Sequence, residues 1–276
     1  MDPATIIGIL VAFGSLIAMV YLEGSQITSI LLPAPIILVF GASIFAAVAS
    51  GTLKDSVRAF KTLPRAFTGK APRPAEAIEE VVRAAEIVQN DGGLLALEAE
   101  SQKTDDPFQR SALQSLADGS DAEQLRTLLE ERIETKARED AVAYDFFNAI
   151  GGYAPTIGIV GTVVSLTHVL ENLSEPEKLG HMIAAAFIAT LWGILSANFI
   201  WLPIGAKLKR LSDLEIERLH VLLEGYMSIQ AGSRARVIDE RLKTMVPEWS
   251  LPEDKAACLL YSAHAAAEGV GVPLGG

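Results

Sequence analysis

Four apolar runs dictate what this chain of 276 residues can fold into: Ala4–Leu22, Ile27–Ala49, Ala149–Leu170 and Met182–Ala206. Each approaches or exceeds the roughly 20 residues that a helix needs to cross a bilayer. None contains Asp, Glu, Lys or Arg, and the third contains a lone His168 near its end. Unpaired backbone groups are costly in hydrocarbon, so runs of this length close their hydrogen bonds within a helix. Barrel strands would need period-two alternation, which these runs lack. The expected fold is all-α: a polytopic membrane protein with four transmembrane helices and a helical cytoplasmic domain.

Charge orients the bundle. Lys54, Arg58, Lys61, Arg65, Lys70 and Arg73 follow the second run, and Lys207, Lys209 and Arg210 follow the fourth. The Leu22–Thr28 and Glu171–Lys178 connections are neutral or acidic. Basic residues stay on the cytoplasmic side, so both termini and the long central segment are expected there. The first run does not read as a secretory signal, because it lacks a basic leader and starts beside Asp2. The net charge of −11 belongs to the cytoplasmic part: seventeen acids face seven bases between Glu76 and Asp140. That balance argues against nucleic-acid or anionic-lipid binding by this region. The single Cys258 excludes a disulfide framework and a cysteine-rich metal site.

The chain divides by composition into a membrane hairpin (1–51), a cytoplasmic helical domain (52–148) and a second hairpin (149–206). Cytoplasmic C-terminal helices (207–247) and a flexible tail (248–276) follow. Thr52–Pro74 is a basic juxtamembrane segment ending in a proline-rich hinge. A helix is expected from Ala75 to Val88, a break at Asp91-Gly92-Gly93, and a new helix from Leu94. A turn is expected at Asp118–Asp121, with Ser120 or Asp121 as an N-cap. Ala122–Phe147 reads as one long helix running into the third span, with Glu130, Glu131, Glu134, Lys136 and Arg138 on a wet face. Beyond the fourth span, Leu208, Leu211, Leu214, Leu219, Leu222, Leu223, Tyr226 and Ile229 continue an apolar stripe. That helix should leave the membrane and pack against the central domain.

No catalytic constellation is present: the sequence has no phosphate loop, no metal-binding His or Cys spacing, and no nucleophile elbow. Neither an enzyme nor a cofactor is expected. Gly158 and Gly161 read foremost as a close-packing site between membrane helices. Pro155 and Pro203 read either as tolerated kinks or as a pair of hinges at one membrane depth. Thr162 and Thr190 either bond their own preceding turns or line a polar path together. Intramembrane relays use Asp, Glu or His, and no span offers a central carboxylate. If an ion passes, another chain supplies the acid.

Certain motifs resemble the MotA/PomA family of flagellar stator proteins, within the superfamily that includes ExbB and TolQ. They are Met1-Asp-Pro-Ala-Thr5, Gly92–Glu98, Gly152-Tyr-Ala-Pro-Thr-Ile-Gly-Ile-Val-Gly-Thr162, Thr190-Leu-Trp-Gly193 with Pro203-Ile, Ile229–Gly232 and Val237–Leu242. The resemblance implies a homopentamer around two copies of a MotB-like single-span partner carrying the ion-binding aspartate, in the bacterial inner membrane. It implies Thr162, Thr190 and Ala189 along the ion path, Pro155 and Pro203 as conformational hinges, and Glu98 and Glu100 facing a FliG-like rotor protein. Where relatives have an arginine eight residues before Glu98, this chain has Asn90, with Arg83 two turns earlier as a possible substitute. Ala235 likewise stands where many relatives have proline. Relatives that use sodium tend to pair two threonines where this chain has Ala189-Thr190, so a proton is expected rather than sodium. The alternatives are an ExbB/TolQ-like motor for another envelope process and a scaffold that passes no ion. The Asp-bearing partner's gene, or proton uptake by the reconstituted complex, separates the three.

Overall fold

A computed structural model describes residues 4–24, 26–90, 92–174, 176–248 and 251. The motif residues Met1–Pro3, Asp91 of the expected break, Cys258 and the tail beyond 251 lie outside the described residues. Helices and turns make up the described chain, with no strand among the described residues.

Three helical stretches are long and apolar enough to cross a membrane: Ala4–Leu22, Ala122–Glu171 and Leu179–Gln230. The expected second span is shorter than its apolar run. Ile27–Ser29 forms a separate 3₁₀ turn, and helix α2 covers Pro33–Ala49, 17 residues. Pro33 starts it because a helix's first residue needs no N–H partner. Trp192 Nε1 donates to Ile30 O at 2.8 Å, in the segment between that turn and α2.

By contact, one unit comprises Met1–Pro72 with Leu128–Glu217, and the other Arg73–Thr127 with Arg218–Gly276. The first unit holds α1 (Ala4–Leu22), α2, α3 (Leu53–Thr68), most of α7 (Ala122–Glu171), α8 (Pro176–Ser196) and the start of α9 (Leu202–Gln230). A π-helical turn, Ala197–Trp201, joins α8 to α9. Thr52–Pro74, read from sequence as a basic segment, is largely the amphipathic helix α3. Thr52 caps it by accepting from Asp55 N at 3.2 Å. The core of this unit gathers Phe146, Phe147, Ile150, Trp201, Ile204 and Leu208. Phe147 and Trp201 stack with ring centroids 6.3 Å apart, and Phe60 meets Phe146 edge-on at 5.3 Å.

The second unit contains α4 (Pro74–Asn90), α5 (Leu97–Ser101), α6 (Pro107–Ala117), the first turns of α7, the end of α9, and α10 (Ala235–Lys243). Gly92 and Gly93, at φ +99° and +97°, end α4 with backbone angles that other residues rarely adopt. Helix α6 starts where Asp106 accepts from Phe108 N at 2.9 Å and Pro107 follows. Apolar residues of α9 are buried as its stripe suggests: Leu219, Leu222, Leu223, Tyr226 and Ile229. A Cβ at Gly225 would strike the side chain of Val81, so only glycine allows α9 to approach α4 this closely.

Candidate functional site

Glycine brings the third and fourth apolar helices into backbone contact. A Cβ on Gly158 would sit 2.9 Å from Ala189 O and 3.1 Å from Gly193 Cα. One on Gly193 would sit 2.8 Å from Ala154 O and 3.3 Å from Pro155 Cα. Gly158 and Gly161 therefore pack helices, as small residues do in membranes. Gly193, singled out in sequence only as part of a motif, is the reciprocal half of this contact. The signal that finds it is a small residue facing small residues across an antiparallel pair.

One turn beyond Gly158, the two threonines meet. Thr162 Oγ1 lies 2.5 Å from Thr190 Oγ1, 3.1 Å from Gly158 O and 3.0 Å from Ala186 O. Thr162 reaches its own preceding carbonyl and also its counterpart on α8. Each hydroxyl carries one proton and accepts others. Thr162 thus donates to only one of these three acceptors, and the cluster retains lone pairs for a further donor or a cation. Ala189 is buried, its carbonyl against Gly158 and its Cβ against Gly161. Within this chain it packs the crossing beside the hydroxyls.

The prolines do not share one depth. Pro155 lies level with Gly193, whereas Leu202 and Gly205, which flank Pro203, face Gly151 and Asn148. That places the prolines one to two turns apart along the helices. The helix arms are unequal in the same sense: sixteen residues separate Pro155 from the end of α7 at Glu171, but twenty-seven separate Pro203 from the start of α8 at Pro176. Each proline deprives the carbonyl four residues earlier of its donor and crowds it. At Pro203 that crowding falls beside the π turn, which widens the backbone. Periodicity gave no sign of this turn, although the proline marks its place.

The second unit holds the charged residues expected, from the resemblance, to face a rotor protein. Glu98 on α5 is exposed, as are Arg83 on α4 and Asn90 at the end of α4. Glu100 is half-buried and pairs with Lys103 at 3.0 Å. Arg83 and Glu100 line one cleft of about 330 Å³, which Glu98 does not line. Arg218 anchors its wall, donating to Asp106 at 2.9 Å and to Glu80 at 3.2 Å, and Gln109 also donates to Glu80. At its floor, burial and then the charges of Glu80 and Asp106 push the Tyr226 hydroxyl well above the usual phenol range, so it stays protonated. Among the described residues no cluster of three or more His, Cys, Asp or Glu could hold a metal ion.

Apolar helices of membrane-spanning length, a glycine-packed pair among them with facing threonines, and a charged second unit define a helical membrane protein. Residues 100–220 match the profile of the MotA/TolQ/ExbB proton channel family, and residues 6–90 match the motility protein A N-terminal profile. The chain is 33% identical to motility protein A of Bacillus subtilis over 90% of its length and 92% of that protein's. It is 32% identical to the chemotaxis protein PomA of Vibrio alginolyticus, covering 90% and 96% of the two chains. Among solved structures it resembles C. jejuni MotAB with a TM-score of 0.85 and 28% identity, covering 90% of this chain and 97% of that one. It also resembles the flagellar MotAB stator complex of Bacillus subtilis, with a TM-score of 0.82, 31% identity and the same coverage. The chain belongs to the MotA/TolQ/ExbB proton channel family.

Proposed function

We infer that this chain is the ring subunit of a flagellar stator, an ion-channel component that converts ion-motive force into torque on the flagellar rotor. The observation that carries this reading is the Thr162–Thr190 oxygen cluster inside apolar helices that bring no central carboxylate of their own. The match to the motility protein A N-terminal profile favours the flagellar reading over an ExbB/TolQ-like one.

On this reading five copies surround two copies of a MotB-like single-span protein, whose aspartate supplies the titrating group beside the threonines. A proton is the transported species, since Ala189 removes one hydroxyl that a sodium ion would use as a ligand. Arrival and departure of that proton change how the aspartate bonds to Thr162 and Thr190. Proline-weakened turns at Pro155 and Pro203 let α7 and α9 bend in response. Glu98, Glu100 and Arg83 then present charge to a FliG-like rotor protein, where complementarity governs encounter and register more than affinity. Helix α2, rising about 1.5 Å per residue over roughly 25 Å, makes a fourth crossing together with the turn before it. Both termini lie on the cytoplasmic side of the inner membrane.

The test is rotation of tethered cells in a host lacking its own copy, with the partner co-expressed. Thr162→Val and Pro155→Ala should abolish rotation while membrane level and flagellar assembly match the parent. Undiminished rotation in both would overturn the reading. A protonophore should stop the parent and sodium removal should not; the reverse result would move the assignment to sodium.

A further inference from the structure

We propose that α3 binds anionic lipid: Leu53, Val57 and Phe60 enter the apolar boundary of the leaflet where α2 ends, and Lys54, Arg58 and Lys61 take acidic headgroups. The helix has three faces. Ser56, Ala59 and Ala66 are buried, and Phe60 contacts Phe146 edge-on, so the helix is fixed in orientation. On the second face Leu53, Val57 and Phe60 recur at helical spacing yet remain 71%, 48% and 38% exposed. The third face, one residue further round, carries Lys54, Arg58 and Lys61, all exposed and without an ion pair among the described residues.

Neighbouring charges do not cancel these three. Asp55 is the sole acid on α3, and it accepts from Thr52 Oγ1 at 2.6 Å. Arg65, the remaining cation of that face, is held by Asp140 at 3.2 Å. A helix merely solvated would not keep Leu, Val and Phe on one open stripe. An apolar stripe beside a basic one matches a leaflet, which offers hydrocarbon and negative headgroups a few ångströms apart. Depth is set by the chain: α2 ends at Ala49 and α3 begins at Leu53. The proposal therefore rests on α2 crossing the bilayer.

The experiment uses the full-length chain in nanodiscs, with Cys258→Ser and a bimane fluorophore on Val57→Cys. Nitroxide-labelled phosphatidylcholine or phosphatidylglycerol is included at equal mole fraction. Both lipids should quench the probe, phosphatidylglycerol at least about twofold more, since each cation enriches anionic lipid by up to about fivefold. Replacing Lys54, Arg58 and Lys61 by Gln should equalise the two lipids while quenching persists. Quenching by aqueous iodide and by neither lipid overturns the proposal in favour of a wet surface. Protection from iodide and lipid alike overturns it in favour of a second protein covering the stripe. Equal quenching by both lipids in the parent overturns the anionic preference. A second probe on Phe45→Cys, exposed on α2, keeps the premise separate. If lipid does not quench there, the fault lies in the crossing of α2 rather than in α3.

Discussion

Replacing Gly158 with alanine puts one methyl group where two membrane helices touch backbone to backbone. The new Cβ would lie 2.9 Å from Ala189 O, 3.1 Å from Gly193 Cα and 3.2 Å from Thr190 Cα. Ordinary carbon contacts fall near 3.5–4.0 Å, so α7 and α8 must separate by about 0.5 Å. All three obstacles are main-chain atoms, so no side chain can swing aside. Overpacking of this kind costs about 1–3 kcal/mol. Alanine's better helix propensity offsets about 1 kcal/mol of that. The net loss is about 1 kcal/mol, enough to lower Tm by roughly 2–4 °C. Gly41→Ala is the reference, because its methyl would meet nothing within 4 Å and keeps the propensity gain alone. Thermal unfolding of the full chain, followed by tryptophan fluorescence, measures the pair. The separated helices also pull Thr162 from Thr190, so swimming in soft agar should fall for Gly158→Ala and hold for Gly41→Ala. Equal melting and equal swimming for the two variants would refute the reasoning.

Thr162→Val keeps the shape but removes a hydroxyl; unfolding should shift by only about 0.6 kcal/mol while rotation is lost, and Thr162→Ser should restore rotation. Arg218→Ala strands two half-buried carboxylates, Glu80 and Asp106, at a cost of about 2 kcal/mol. Faster proteolysis within 73–127 reads that loss, and an unchanged cleavage rate would contradict it. Tyr226 has a folded pKa raised above the unfolded value of about 10. Its contribution is therefore whole below that pH and declines as pH climbs through about 10 and beyond. Tyr226→Phe should flatten the alkaline part of the melting profile.

Much of the architecture was legible because it rests on length and period. Ala4–Leu22 needed only its unbroken apolarity, and the helix running from Ala122 through the third span needed only the lack of any breaker strong enough to stop it. Long-range bonds were not legible. The indole of Trp192 bonds the Ile30 carbonyl ahead of the second helix, a contact between residues far apart in sequence. Helix α3 was hidden because its open apolar stripe interleaves with lysines and arginines, which read together as a basic segment. Helix α6 was missed although Asp106-Pro107 is an ordinary start signal. At the site, the pairing of Thr162 with Thr190 followed from facing helices, and the family resemblance pointed to the same residues. Gly193 as the matching half of the contact needed the register between α7 and α8. So did the offset of Pro155 from Pro203.

The wide turn at Ala197–Trp201 has a consequence for everything downstream of it. Inserting one residue's worth of winding rotates the rest of α9 by about 100° relative to a plain α-helix. Leu208 and Leu211 face inward, while Lys209 and Arg210 face outward. Deleting a single residue from the turn would leave the chain's composition almost intact yet bring the wrong side of a long helix to its neighbours. The phase of the helix, rather than any one contact, is what this short irregular stretch preserves.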